Sequence, residues 1–302
     1  MKKDEKNRQE PAVSCPSAVK EQKCSGTADS LDAFLEQQKM DGRMQKIKHK
    51  IIVLSGKGGV GKSTVAVNLS ISLSLSGKKV GLLDVDIHGP SIPKMLKLED
   101  SRISVIDGVI QPVEKGGMKI LSIGFLLHDR DDAVIWRGPM KAGVIKQFLS
   151  DVAWGELDYL IIDSPPGTGD EPLSVCQMLK NPDGAVIVTT PQDVAIVDVR
   201  KSINFCRQLK IPVIGVIENM SGFVCPKCGE ITQIFKTGGG EKMAVEMKVP
   251  FLGRIPIDSA IGVACDAGTP FIYHYNKTET GKAFEQIIEP ILALTEPEKA
   301  VS

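Results

Sequence analysis

Aromatic side chains are scarce in this 302-residue chain, with two tryptophans and three tyrosines. Single-stranded nucleic acid is held on platforms of stacked rings, and the chain has little to build one from. Neither sign of charge is in excess: 37 basic residues balance 37 acidic ones. A polyanion drawn in by bulk electrostatics is therefore not expected. No apolar run reaches the roughly 20 residues of a membrane span. The stretch Met1-Lys2-Lys3-Asp4-Glu5-Lys6 has no apolar segment behind it, unlike a secretory signal. It is also too acidic and too poor in arginine for an organelle transit peptide. The expectation is a cytoplasmic protein with neither nucleic acid nor membrane as partner. Seven cysteines, an odd and unevenly spread set, do not make a disulfide framework in that compartment.

What is present is order of a regular kind. Residues 1–28 are polar and aperiodic, and residues 30–45 place Leu31, Phe34 and Leu35 at helical spacing behind Ser30 as N-cap. Residues 1–45 are thus expected to be a flexible arm with a short helix, and residues 46–302 a single domain. From residue 50, apolar β-branched runs appear at Ile51–Ser55, Val80–Asp84, Lys119–Ile123, Tyr159–Asp163, Ala185–Thr190, Val213–Ile217 and Phe251–Ile255. Helical patterns separate most of them, at 62–75, 139–152, 171–179, 195–209, 240–247 and 260–267. This alternation predicts an α/β fold, a mostly parallel sheet with helices on both faces. Ile103–Val113 breaks the rhythm and reads as a hairpin about Asp107-Gly108. Near the end, Phe284, Ile287, Ile288, Ile291 and Leu292 form one stripe, opposite acidic Glu285 and Glu289, which predicts a helix packed on the sheet.

Gly56-Lys57-Gly58-Gly59-Val60-Gly61-Lys62-Ser63 fits G-x-x-x-x-G-K-[ST], between the run Ile51–Leu54 and the helical segment that starts at Thr64. Strand, glycine turn and helix start are what a phosphate loop needs. Glycines let backbone N–H groups crowd phosphate oxygens, and the helix N-terminus adds partial positive charge. Lys62 would reach the β- and γ-phosphates, and Ser63 would hold Mg²⁺. Asp163 ends the run Tyr159–Ile162 and precedes Ser-Pro-Pro-Gly-Thr-Gly-Asp170. It is placed to orient Mg²⁺ through a water. Asp84 and Asp86 follow another strand. Asp86 would hold the attacking water and Asp84 would support the metal from behind.

Jointly these residues resemble the deviant Walker A group of P-loop ATPases, marked by Lys57. Within it the chain is similar to the Mrp/ApbC family of iron–sulfur cluster carrier ATPases. The matching stretches are Gly56–Ser63, Asp84–Pro90, Trp136–Met140, Asp163–Asp170, Glu218-Asn219-Met220 and Cys225-Pro226-Lys227-Cys228. The resemblance implies an ATP-hydrolysing homodimer that passes a cluster from an assembly scaffold to apo-proteins. It also implies that Lys57 reaches the partner subunit's ATP, that Asn219 meets the adenine edge, and that backbone near Arg254 and Pro256 lines the base.

Cys225 and Cys228 have the spacing of a thiolate pair on one metal. A four-coordinate zinc or a [4Fe-4S] cluster needs four ligands, and no second pair follows at ribbon spacing. Two copies meeting at a symmetry axis would supply four. A [4Fe-4S] cluster there fits the family; a structural zinc is the alternative that ligand chemistry leaves open. Cys15 and Cys24 cannot form a four-cysteine site on one arm. Cys176, Cys206 and Cys265, among apolar neighbours, read as small buried hydrophobes. A spatial-organising ATPase resembling MinD or ParA is the competing class, although it has no use for C-x-x-C. A reductase resembling nitrogenase iron protein is a third, although its cluster cysteines lie far apart.

Overall fold

The computed structural model describes residues 28–87, 89–126, 138–225, 227–228, 230–275 and 277–294. Cys15, Cys24, His88, Trp136, Arg137, Pro226 and Asn276 lie outside the described residues. Helix α1 (Ala28–Met44) leads into β1 (Ile47–Ser55), α2 (Lys62–Leu75), β2 (Val80–Asp84) and the short α3 (Ile92–Met95). Strands β3 (Ser104–Ile106), β4 (Val109–Gln111), β5 (Val113–Lys115) and β6 (Met118–Ser122) follow. Next come α4 (Gly138–Ser150), β7 (Leu157–Asp163), α5 (Asp170–Met178), β8 (Gly184–Thr189) and α6 (Asp193–Gln208). The remaining elements are β9 (Val213–Val224), β10 (Ile231–Thr232), α7 (Gly239–Glu246), β11 (Phe251–Ile257), α8 (Ser259–Ala267), α9 (Phe271–Tyr275) and α10 (Glu279–Leu292).

Nine strands form one sheet in the order β10-β9-β8-β1-β7-β2-β6-β5, with β11 also on β9. The β5–β6 and β10–β9 pairs are antiparallel; the others are parallel. Side chains alternate across a strand, so both sheet faces need cover. Ile51 and Val53 pack in one core with Leu69 of α2 and Phe284 of α10. Ile52 and Leu54 pack in the other with Phe148 of α4 and Ile203 of α6. Each such fully buried aliphatic chain contributes about 1.5–3 kcal/mol. The stripe on α10 lies where its pattern puts it, and Thr278 caps that helix by accepting from Gly281 N at 3.1 Å. Among the described residues, no helix is long and apolar enough to cross a membrane.

Three details differ from the sequence expectations. Ser30 sits inside α1 rather than before it, because the helix starts at Ala28. That helix is fastened to the body. Met40 and Met44 are buried, Lys39 pairs with Asp151 at 2.7 Å, and Lys180 pairs with Asp41 at 2.6 Å. The hairpin about Asp107-Gly108 is β3–β4, but Val113 belongs to the next strand, β5, on the sheet edge. Strand β9 continues past Ile217 to Val224, because its polar residues Glu218 and Asn219 pair in register with Arg254 and Ile255 of β11.

Candidate functional site

Strands β1, β7 and β2 run side by side in the same direction, so their carboxyl ends open at one edge of the sheet. An open α/β sheet binds ligands at that edge. The loop after β1 carries Gly56–Ser63, β7 ends in Asp163, and β2 ends in Asp84. Asp84 and Asp163 are direct neighbours in register. The loop turns tightly where it must. Gly61 has φ +82°, and a Cβ on Gly56 would lie 2.4 Å from the Asp198 carbonyl carbon on α6. Gly58 and Gly59 are exposed, and a Cβ on either would meet nothing within 4 Å. Their backbone is open to an approaching ligand.

Lys62 opens α2 and is buried. Its Nζ lies 2.6 Å from Asp163 Oδ1, 3.4 Å from Asp86 Oδ2 and 3.4 Å from Ser63 Oγ. Burial opposes its charge, yet the Asp163 and Asp86 carboxylates outweigh that and raise its pKa. Asp84 accepts from Ser122 Oγ at 2.8 Å and from Asp86 N at 3.1 Å. Three carboxylates share one ammonium here. Burial, with the neighbouring Asp163, pushes Asp84 up to about 8.

A carboxyl raised in the folded state stabilises fully below its unfolded pKa and loses that contribution as pH rises through the folded one. For Asp84 the window runs from 3.8 to about 8. Without metal or nucleotide, the thermal midpoint should fall across it. Asp84→Asn should flatten that fall and leave the protein more stable at pH 8 by about 1–3 kcal/mol, the scale for relieving an uncompensated buried charge. Parallel thermal melts from pH 5 to 8 with chelator present check this; equal slopes would contradict it.

The oxygen set fits a magnesium nucleotide. Asp163 Oδ2 is buried with no hydrogen-bond partner among the described residues. With Ser63 Oγ it offers hard oxygen donors of the kind Mg²⁺ takes, the remaining positions being left to phosphate oxygens and water. A cavity of about 240 Å³ is lined by Lys57, Gly58, Gly59, Gly61, Lys62, Ser63 and Thr64, together with Asp86. Ser55, Gly89, Ser91, Met95 and Pro166 complete it; Gly89 and Pro166 belong to the stretches Asp84–Pro90 and Asp163–Asp170, whereas no sequence signal marked Ser91 or Met95. Lys57 is half-buried at its rim and Val60 is buried behind the loop.

The residues expected around the base, Asn219, Arg254 and Pro256, are not among those lining this cavity. Asn219 is buried against the loop and its Nδ2 donates to Val60 O at 2.9 Å. Arg254 and Pro256 sit on β11, outside the cavity lining. The Arg254 guanidinium bonds Glu241, stacks over Phe251 at 5.5 Å, and has its Nε 3.7 Å from Glu218.

Glu218 is a residue whose role the sequence did not disclose. Fully buried, it accepts from Ser221 Oγ at 2.5 Å, from Gly238 N at 2.9 Å and from Gly240 N at the start of α7. An acid in the middle of an apolar strand was the available signal. Glu218→Ala orphans those donors and should cost about 2–4 kcal/mol in chemical denaturation; a change within about 0.5 kcal/mol would contradict that role.

Cys225 and Cys228 lie at the turn of the β9–β10 hairpin, closed by Cys225 N donating to Glu230 O at 2.9 Å. Cys225 is half-buried and Cys228 exposed. Backbone N–H groups of Lys227 and Cys228 point at the Cys225 sulfur and lower its pKa, which favours the thiolate that binds metal. Among the described residues, no group of three or more His, Cys, Asp or Glu side chains could hold a metal. Cys176 and Cys206 are buried, their thiols pushed up to about 12. Cys265 departs from the expectation of a buried thiol: it is half-buried, and burial raises its pKa while the Thr64 side chain, beside the phosphate loop, opposes that.

Residues 46–292 match the ParA family model described as NUBPL iron-transfer P-loop NTPase. The iron–sulfur cluster carrier protein of Methanocaldococcus jannaschii is 52% identical over 288 residues, 94% of this chain and 96% of the relative. A cytosolic Fe–S cluster assembly factor NUBP2 homolog of Nematostella vectensis is 56% identical over 233 residues, 76% of this chain and 86% of the relative. Among solved structures, a nucleotide-binding protein of Archaeoglobus fulgidus, in complex with ADP and with cobalt found in it, has a TM-score of 0.71 at 45% identity. The match covers 79% of this chain and 93% of that one. The cell division ATPase MinD of Pyrococcus furiosus gives 0.61 at 25% identity, over 82% of this chain and 100% of that one.

Proposed function

The chain belongs to the NUBPL iron-transfer P-loop NTPases of the ParA family, and we propose from that premise that it hydrolyses ATP while carrying a [4Fe-4S] cluster from an assembly scaffold to apo-proteins. One observation carries the reading. A phosphate loop with its carboxylates and a separate cysteine pair on a hairpin, Cys228 exposed, stand on the same chain, and a four-thiolate site takes two such pairs. A homodimer with the hairpins at its axis provides the other half. The cluster is cargo, and ligands on an exposed turn suit a group that must be given up. The relatives described as cluster carrier and assembly factor support the same reading, and the factor described as cytosolic supports a cytoplasmic location.

In this reading the γ-phosphate is transferred to water, giving ADP and phosphate. Phosphoryl transfer asks mainly for positioning and charge neutralisation. Loop amides of Gly58, Gly59 and Gly61 hold phosphate oxygens, and Lys62 neutralises the β- and γ-phosphates. Phosphate competes with Asp163 for the Lys62 ammonium, which frees that carboxylate. Ser63 and Asp163 would hold Mg²⁺, with Asp84 behind them. The ion would supply further neutralisation of the phosphate charge. Asp86, within reach of Lys62, aligns the water. Lys57 at the cavity rim reaches the partner subunit's phosphates, Thr64 bonds the α-phosphate side, and Asn219 with the Arg254–Pro256 backbone bounds the base.

The test is delivery of a reconstituted cluster to an apo-protein acceptor, read as recovered acceptor activity. The parent chain should deliver it with ATP. Lys62→Ala should load normally but lose the ATP dependence of delivery. Equal loading and delivery by both proteins would remove nucleotide from the function.

A further inference from the structure

One strand touches both halves of the molecule. Asn219 on β9 grips the phosphate loop through Val60 O at 2.9 Å. A Cβ on Gly61 would lie 2.2 Å from Asn219 Nδ2 and 3.8 Å from Met220 Cε. The Asn219 and Met220 side chains are thus fitted against a loop residue that has none. Cys225 follows on the same strand, one residue beyond its end.

Between those points β9 is not regular. Asn219 pairs with Ile255 and Phe223 with Ile257, so four steps along β9 oppose two along β11. The surplus is a bulge over Met220–Gly222. Met220 has φ +58° and Gly222 φ +82°. A methionine in the left-handed region is strained, by roughly 1–3 kcal/mol for such backbone outliers, and persists only where surroundings hold it. Here the hold is visible: Ser221 Oγ donates to Glu218 Oε1 at 2.5 Å, and Glu218 is itself fixed by Gly238 N and Gly240 N. Bulges re-aim strands beside functional sites, and a strained one clamped on one side has a second arrangement available to it.

We propose that the Met220–Gly222 bulge couples the two sites, with Asn219 and Met220 as positioning residues that convert a shift of the Val60–Gly61 backbone into a re-aimed Cys225 turn. The proposal rests on the cluster-carrier reading for the meaning of the thiol pair, not for the coupling itself. Its physical content is a connection of six steps along the chain from the loop contact at Asn219 to the first thiol at Cys225. A ligand shifts such an element only by its differential contact with the two arrangements, and Asn219 on Val60 O is that contact.

The experiment uses the full chain without iron. Cys225 and Cys228 are alkylated by iodoacetamide and their rates resolved by peptide mass spectrometry. Measurements are made without nucleotide and with saturating ADP or a non-hydrolysable ATP analogue plus magnesium. In the parent, nucleotide should change the Cys225 rate by about fivefold or more, the lower end of ordinary site-to-site coupling. Asn219→Ala and Met220→Gly, with nucleotide occupancy verified by calorimetry, should react at one rate whatever is bound. Met220→Gly relieves the left-handed strain and therefore keeps the result readable if Asn219→Ala folds poorly. A parent rate indifferent to nucleotide overturns the proposal, as does a parental response retained in both variants. Iron loading of the same parent preparation is assayed separately, so failure of cluster carrying and failure of coupling give different results.

Discussion

Lys62→Ala should lower ATP turnover by about 10²- to 10³-fold, the scale for deleting one preorganised charge donor at a transition state. Lys62 is the buried cation that Asp163 and Asp86 face, at 2.6 and 3.4 Å. It is therefore the group on which phosphate oxygens and carboxylates must compete. Its removal has a structural cost as well. Asp163 loses its counter-ion at zero exposure, and breaking a buried pair on one side costs about 3–5 kcal/mol. Part of that is recovered at low pH, where Asp84 and Asp163, both raised chiefly by burial, take up protons. The variant's deficit in stability should therefore widen from pH 5 to pH 8. Turnover is read per folded molecule, with circular dichroism setting the folded fraction. A kcat within about threefold of the parent would place the chemistry elsewhere.

Cys225→Ala/Cys228→Ala should reduce iron and sulfide retained after anaerobic reconstitution to background, because in the proposed reading these two thiolates are what each chain lends to a shared centre. The thermal midpoint should barely move, since Cys228 is exposed and Cys225 only half-buried. Absorption spectra and metal counts on parent and variant decide the matter. Retained iron in the variant would mean that the cluster sits elsewhere. A parent that takes up zinc, and never iron with sulfide, would favour the structural-metal alternative.

Much of this site was legible before any fold was drawn. The glycine spacing of Gly56–Ser63 admits one local geometry, and an aspartate closing an apolar run, as at Asp163, needs a strand end. Both depend on sequence neighbours alone. What stayed hidden depends on neighbours in space. Glu218 and Asn219 looked like the end of a strand because they interrupt an apolar run. Pairing with β11 carries the strand past them, and their polar atoms are satisfied by Gly238, Gly240 and Val60. Ser91 and Met95 in the cavity wall carry no chemical signature at all. Cys265 sits at helical spacing with apolar neighbours, and only the packing of α8 brings it to Thr64. The first helix was visible by its period, but its ties to Asp151 and Lys180 come from segments more than 100 residues away.

The central claim is that one cluster is held between two chains. Sedimentation equilibrium with iron and sulfide counting on the same reconstituted sample tests it most directly. A species of twice the chain mass, carrying about four iron atoms per two chains and reverting to single chains when the cluster is stripped, is the expected result. A single-chain species that holds a full complement of iron would contradict it.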